Sequence, residues 1–361
     1  MSRLALERVH GSLPQAARVG SMAQWKVLSG SEFGWSRLGA LAGATVFHSL
    51  RWSRVLERGF NGPVLVFALE DEGGALLAAW PGCLMTLGPV RILYGVFPKG
   101  NVVGPAEVIA ANVPGFQAAC RERGVHLLRM IACEDEPVRG LPGGRCGRHV
   151  RHVLDLAGKT PDGLWEGYKK RVRRDVRVAE KAGLTVRPMR REEFPKFHEM
   201  LREVHMRNAA ATAIGPPFYE AIWDELAGDG TADFLVADQA GEPVAATVGI
   251  HDLGVTYYFA ACSRTDAMRL CPNDLLLHAL IVRAIGRGAR QFDLLSSGAH
   301  DEGLIRFKEK WGAEVRPFDL LECWFSTWRR WGWDTAMYVA EYRAGAGVLR
   351  LVRRMMEGRK A

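Results

Sequence analysis

The sequence predicts an α/β (α+β) chain built from two similar halves, each a mixed β-sheet flanked by helices. Three observations carry this reading. Pro63–Gly95 and Ala232–Ala261 each read strand, tight turn, strand, short turn, strand. Each is followed by a helical segment and a further strand, so the order repeats. The chain has 361 residues, 48% of them apolar, enough for two or three domains or one large one.

In order, residues 1–24 show no periodicity and read as a flexible arm. Ser31–Gly43 and Ser49–Gly59 have helical spacing. Pro63–Leu69 and Ala75–Leu87 read as strands joined by a Gly-Gly turn, and Val90–Tyr94 as a third. Pro105–Gly124 reads as a helix and His126–Ile131 as the strand after it; Arg148–Leu156 alternates and closes the first half. Pro161–Gly183 reads as one long basic amphipathic helix ended by its glycine. Leu184–Arg187 is a strand, and Arg191–Arg207 and Pro217–Ala227 are helices. Ala232–Ala237, Glu242–His251 and Thr256–Cys262 are strands. Pro272–Gly288 is an apolar helix with proline at its start. Gln291–Leu295 is a buried strand, Asp301–Gly312 a helix and Glu314–Trp324 a closing strand. Ser326–Arg359 is helical again.

Composition narrows the class. With 24% charged residues, the chain is neither disordered nor collagen-like. No stretch approaches 18 uninterrupted apolar residues, which argues against a membrane-spanning helix. The first 22 residues lack the pattern of a secretory leader. Seven scattered cysteines without a Cys-x-x-Cys pair fit reduced thiols, so a cytoplasmic location is expected. The net charge of +8 is concentrated: Lys159–Arg191 holds eleven basic residues against four acidic, and Trp328–Ala361 eight against three. Such zones suit a polyanionic partner such as nucleic acid or a phosphate-bearing ligand. The arginine excess, with lysine only 10 of 48 basic residues, also fits a compositional origin.

The sharpest segment is Gly303-Leu-Ile-Arg-Phe-Lys-Glu-Lys-Trp-Gly312, which follows the strand Phe292-Asp-Leu-Leu295 and a glycine-containing turn. Phe307 and Trp311 share a helical face, and Lys308 points elsewhere. A lysine fixed at a pocket edge binds phosphate or stabilises an oxyanion; an exposed lysine on an amphipathic helix is the plainer reading.

Several segments, in order, resemble the FemAB (Fem-type) aminoacyltransferases, a branch of the GNAT-like acyltransferases. Gly254-Val-Thr-Tyr-Tyr-Phe-Ala-Ala261 looks like that family's central strand, and the helix beginning Pro272-Asn-Asp-Leu-Leu-Leu looks like its "P…LL…AI…G" helix. Phe292-Asp293 and Gly303–Gly312 look like its terminal signature. Lys170–Gly183 is similar to its basic helix. Phe97-Pro-Lys-Gly100 with Gly104-Pro105 looks like a variant of its "PRGP" turn, three residues longer.

The resemblance implies two tandem GNAT-like domains, 25–157 plus 326–361 and 158–325, with the C-terminal helix returning to the first. It implies amide formation by transfer of an amino acid from aminoacyl-tRNA to an amine acceptor: a peptidoglycan precursor, peptide or secondary metabolite. No cofactor is expected, nor DNA, and at most peripheral membrane contact. By the same carry-over Lys308 stabilises transition-state charge or holds a phosphate. Lys99 and Arg207 bind the acceptor, and Tyr258 and Phe307 line the cleft. Asp293 and Glu302 are candidate bases by proximity to the motif. Lys169, Lys170, Arg171, Arg173, Arg174 and Arg177 offer tRNA a basic surface.

An acyl-CoA donor is the alternative. An ordinary GNAT enzyme cradles the pyrophosphate in a glycine-rich turn after its central strand, but Ser263–Pro272 contains no glycine. A second alternative is a non-catalytic tRNA- or precursor-binding protein. Other constellations weigh less. In a strand His149 and His152 face opposite sides, so Cys146, His149 and His152 make a poor metal set. Ser296, Ser297, His300 and Asp301 lack a nucleophile elbow. His198 and His205 lack a third ligand. Trp324, Trp328, Trp331 and Trp333 fit packing of the last helix on the first half, with membrane-surface or partner contact as the other reading.

Overall fold

A computed structural model describes residues 23–95, 102–132, 144–207, 214–297 and 302–342. The first half comprises β1 (Gln24–Ser29), α1 (Leu50–Phe60), β2 (Val64–Glu70), β3 (Leu76–Leu87), β4 (Val90–Gly95), α2 (Ala106–Ala111), α3 (Val113–Glu122), β5 (Leu127–Ala132) and β6 (Gly144–Asp155). The second comprises α4 (Pro161–Gly167), α5 (Lys170–Lys181), β7 (Thr185–Pro188), α6 (Phe194–Arg207), α7 (Pro216–Ile222), β8 (Ala232–Gln239), β9 (Glu242–Asp252) and β10 (Val255–Ser263). It continues through α8 (Pro272–Gly286), β11 (Gln291–Ser296), α9 (Glu302–Glu309) and β12 (Glu314–Trp324), and α10 (Thr327–Tyr342) follows.

Most expected elements form, and their differences have local causes. β1 takes Gln24 out of the expected arm: Trp25 and Val27 pack inward while the strand pairs antiparallel with β2. The expected helix over 31–43 is only a 3-10 stretch at Trp35–Ala40. The expected helix over 105–124 is two, broken at Asn112 ahead of Pro114, whose ring and missing N–H disrupt the preceding turn. The expected single helix 161–183 also breaks. Tyr168 leaves the helical path with ψ 141, sinks into the core and packs edge-on to Trp311, with ring centroids 5.1 Å apart.

Instead of two separate sheets, the described residues form one of twelve strands, in the order β1-β2-β3-β4-β5-β12-β6-β11-β10-β9-β8-β7. Each half supplies four antiparallel strands and a fifth that pairs parallel with the fourth: β5 beside β4, and β11 beside β10. The final strands are exchanged. β6 of the first half lies beside β11 of the second, and β12 of the second lies beside β5 of the first. β6 and β12 then pair with each other from Glu314↔Val153 to Cys323↔Gly144. This seam crosses the division expected near residue 157.

A shared core reinforces the seam. Trp52 of α1 meets Phe218 of α7 and Phe259 of β10 edge-on, at centroid distances of 5.9 and 5.7 Å, and Phe47 meets Tyr257 at 5.0 Å. On the rim of this contact Arg51, Arg54 and Arg58 pair with Asp229, Glu225 and Asp224. These pairs are part-exposed, so the aromatic contact carries more of the stability. The last helix returns to the first half. Trp333 packs beside Trp324 over Val90, Ile92 and Leu127, and Arg329 meets His126.

Gly59 permits the close approach of α1 to α7, because a Cβ there would sit 2.2 Å from Phe218 Cδ2. Gly59→Ala is expected to destabilise by about 1–3 kcal/mol through overpacking. An alanine in an unobstructed helix would instead stabilise by about 0.5–1 kcal/mol. Urea unfolding gives the sign.

Candidate active site

β10 and β11 pair in parallel only from Val255↔Gln291 to Tyr257↔Asp293. Beyond that point no pairing joins them, and β10 runs on to Ser263 with a register shift against β9 between Tyr258 and Ala260. The end of β11 is also irregular. Its register against β6 shifts between Asp293 and Ser296, and Leu295 adopts a left-handed φ of 59°. For a leucine this conformation costs on the order of 1–2 kcal/mol, so surrounding contacts must hold it.

Those contacts are polar and buried. Leu295 N donates to Asp293 Oδ1 at 2.9 Å, and Arg151 Nη1 donates to Asp293 Oδ2 at 2.6 Å. Lys308, from α9, donates through Nζ to the carbonyls of Leu295 at 2.9 Å and Ser296 at 2.8 Å. Lys308 is 2% exposed. It is therefore not the exposed lysine of an amphipathic helix; its ammonium is fixed at the strand end. Asp293 is fully buried with both oxygens engaged, which suits it to hold the Leu295 turn and Arg151 in place.

The exchanged strand supplies the rest. Asp293 lies opposite Val153, so Arg151 and Asp293 share one face of the sheet. His152 faces the other side with Leu154, Phe292 and Leu294, the side on which Trp311 packs. His152 is fully buried, and among the described residues neither ring nitrogen has a hydrogen-bond partner. Burial, then the Lys308 charge, pull its pKa below the ordinary imidazole value, while Glu309 and Asp293 oppose them. The Oγ of buried Ser297 and the Nε of Arg151 likewise have no partner. Buried polar groups are nearly always satisfied, so unpaired atoms on both faces of β6 and at the end of β11 make this region the candidate site.

The other expected residues sort by position. Tyr258 is buried where β10 leaves β11, its ring 6.4 Å from that of Phe292, and burial pushes its hydroxyl pKa up. Phe307 is half-buried on α9 with the Lys310 ammonium 4.8 Å from its ring centre. Glu302, the first residue of α9, is exposed and pairs with Arg306 at 3.3 Å. Arg207 is exposed and donates to Thr265 Oγ1 at 2.9 Å. Lys99 lies outside the described residues.

On α5, Lys169, Lys170, Arg171, Arg174 and Arg177 are exposed and Arg173 is partly so. Arg174 donates to Asp175, which also pairs with Lys310. Burial opposes ionisation of Asp175, but Arg174 and Lys310 hold its carboxyl below the usual range. Lys310 also meets Asp274 on the first turn of α8.

The segment joining β10 to α8 is poorly made for a pyrophosphate. Arg264 N donates to Val244 O and Thr265 N to Glu203 Oε2. The amides of Ala267, Leu270 and Cys271 donate back within the turn. Asp274 adds a buried carboxyl there, its pKa raised by desolvation. A cradle needs amides that are free to point at the anion.

The sequence reading missed Arg151 and His152 as neighbours of β11. Their place there depends on the exchange of β6, for which local pattern gives no signal. His149 and His152 do lie on opposite faces, with His149 stacked on Phe318, and the described residues hold no group of three metal-binding side chains. The Cys146 side chain, His300 and Asp301 lie outside the described set.

Residues 167–309 match the family model described as an acetyltransferase (GNAT) domain. No curated protein matches the chain by sequence. Among solved structures it is similar to FemX, at 14% identity and TM-score 0.62, covering 82% of this chain and 96% of that one. It is also similar to L-PGS from Bacillus licheniformis, at 16% identity and TM-score 0.53, covering 81% and 91%. A tandem GNAT protein from the clavulanic acid biosynthesis pathway aligns at 10% identity and TM-score 0.51, covering 83% and 98%. The fold is thus the tandem GNAT-like one that the Fem-type resemblance implies.

Asp293→Ala should cost about 3–5 kcal/mol, because Arg151 loses its buried counter-charge; a loss near zero in urea unfolding would show the pair to be dispensable. His152 should be more than half neutral at pH 6.5 in an NMR titration. Its folded pKa lies below the unfolded value of about 6.5. Its contribution to stability is therefore full above that pH and is lost as pH falls through the folded value. A midpoint at or above 6.5 contradicts the buried setting.

Proposed function

We propose that the chain is an N-acyltransferase that forms an amide by moving an amino acid from aminoacyl-tRNA to an amine. The observation that carries this reading is the buried Lys308 ammonium at the irregular end of β11, where β10 and β11 stop pairing. The gap between the strands receives the two reactants side by side. The neutral amine attacks the ester carbonyl, and the carbonyl oxygen takes up the charge. Collapse of this intermediate breaks the C–O bond, and the proton shed by the amine ends on the leaving hydroxyl of tRNA. The ester is already activated, so orientation and charge stabilisation supply most of the acceleration.

Lys308 supplies the positive charge in this scheme. His152, buried in β6 with its pKa held below the ordinary imidazole value and both ring nitrogens unpaired among the described residues, is the candidate to relay the proton in this reading. Asp293 and Arg151 position the strand end. Several features support tRNA as donor: the exposed basic side of α5, the occupied amides before α8, the carboxyl of Asp274 where a pyrophosphate would lie, and the Fem-type resemblance. In this reading Arg207 binds the acceptor and Tyr258 lines the cleft.

Lys308→Met should lower transfer roughly tenfold or more, since one oxyanion donor is worth about 2.7–4 kcal/mol in a well-studied hydrolase. The check is amide product from charged tRNA, with circular dichroism confirming the fold. Unchanged turnover removes Lys308 from the mechanism. Product that survives RNase and requires an acyl-CoA overturns the tRNA donor.

A further inference from the structure

We propose that the side of α10 bearing Trp328 and Trp331 docks on the surface of an anionic lipid bilayer. The observations are separate from the transfer site. Trp328 is 66% exposed and Trp331 74% exposed. Three residues apart on one helix, they project from the same side. Their exposure is not that of a loose terminus, because the other side of α10 is seated. Trp333 lies in the cluster with Trp324, Val90, Ile92 and Leu127, and Arg329 meets His126. The fold thus fixes this helix and leaves two indoles facing outward.

The surroundings are cationic. Arg121 lies over the Phe325 ring at 5.0 Å, just before the helix begins, and Arg91 and Arg329 both bear on His126. Arg330 lies on the helix itself, its charge partly met by Asp334 at 3.6 Å. An indole pairs an apolar body with a polar N–H and settles at the level of lipid headgroups, while nearby arginines are drawn to an anionic leaflet. Nucleic acid fits less well. Arg329 lies over the Trp328 ring at 4.6 Å, occupying a face on which a base would stack. No helix among the described residues is long and apolar enough to cross a membrane, so the contact is peripheral.

The test is co-sedimentation of the full chain with phosphatidylcholine vesicles, with and without phosphatidylglycerol, and with free tRNA as competitor. The chain should sediment with the anionic vesicles. The double variant Trp328→Ser/Trp331→Ser should bind roughly tenfold more weakly or worse, the scale set by withdrawing aromatic surface from an interface. Both positions are exposed, so its melting temperature should match the parent. Equal vesicle binding by parent and variant overturns the proposal, as does failure of the parent to sediment. Loss of tRNA binding rather than vesicle binding in the variant would assign the surface to RNA and overturn it too.

Discussion

The exchange of β6 and β12 is the constraint on which the rest of this structure depends. Without it the molecule would be two six-stranded sheets joined by a linker and an aromatic contact. With it, a ladder from Glu314↔Val153 to Cys323↔Gly144 makes one sheet of both halves. The exchange also delivers chemistry. Arg151 and His152 are encoded in the first half and lie beside β11 in the second, so the candidate site exists only when both halves are assembled. Its cost is kinetic: the pairing is between residues far apart in sequence and must wait for the later half to be made.

Two buried charge clusters show how satisfaction separates structure from function. Asp233 accepts from His251, from Arg283 through two bonds and from Arg287, and these partners overcome desolvation to hold its carboxyl far below the usual range. It borders a cavity of about 240 Å³ lined mainly by apolar side chains such as Met189, Trp223 and Phe234. Every oxygen there is occupied, so the cluster reads as a brace. The end of β11 differs. Lys308 and Asp293 are engaged, yet His152, Ser297 and Arg151 Nε are buried without partners in a place where the backbone is strained. Unmet polar capacity beside a fixed charge is what a reaction site requires before its ligand arrives.

Much of this was legible in the chain. The repeated strand order, the apolar α8 and the closing strand Glu314–Trp324 follow from period and turn chemistry, because those signals are local. Lys308 was legible as a residue but not as an environment: helical spacing puts it off the Phe307–Trp311 face, whereas the irregular end of β11 takes its ammonium inside. The break at Tyr168 was hidden because Pro161–Gly183 keeps a helical pattern of charges through it, and the competing pull is tertiary burial against Trp311. The exchange of β6 was invisible because β6 would alternate in the same way beside either neighbour. With it went the meeting of Arg151 and Asp293, 142 positions apart.

The most direct test of the central claim is where a donor analogue binds. A crystal structure with an unreactive aminoacyl-adenosine, the end of a charged tRNA, would show it. The account predicts the aminoacyl group between the diverging ends of β10 and β11, its carbonyl oxygen turned toward the Lys308 ammonium at about 2.7–3.1 Å. Analogue found elsewhere on the chain, with the end of β11 unchanged and empty, would contradict it.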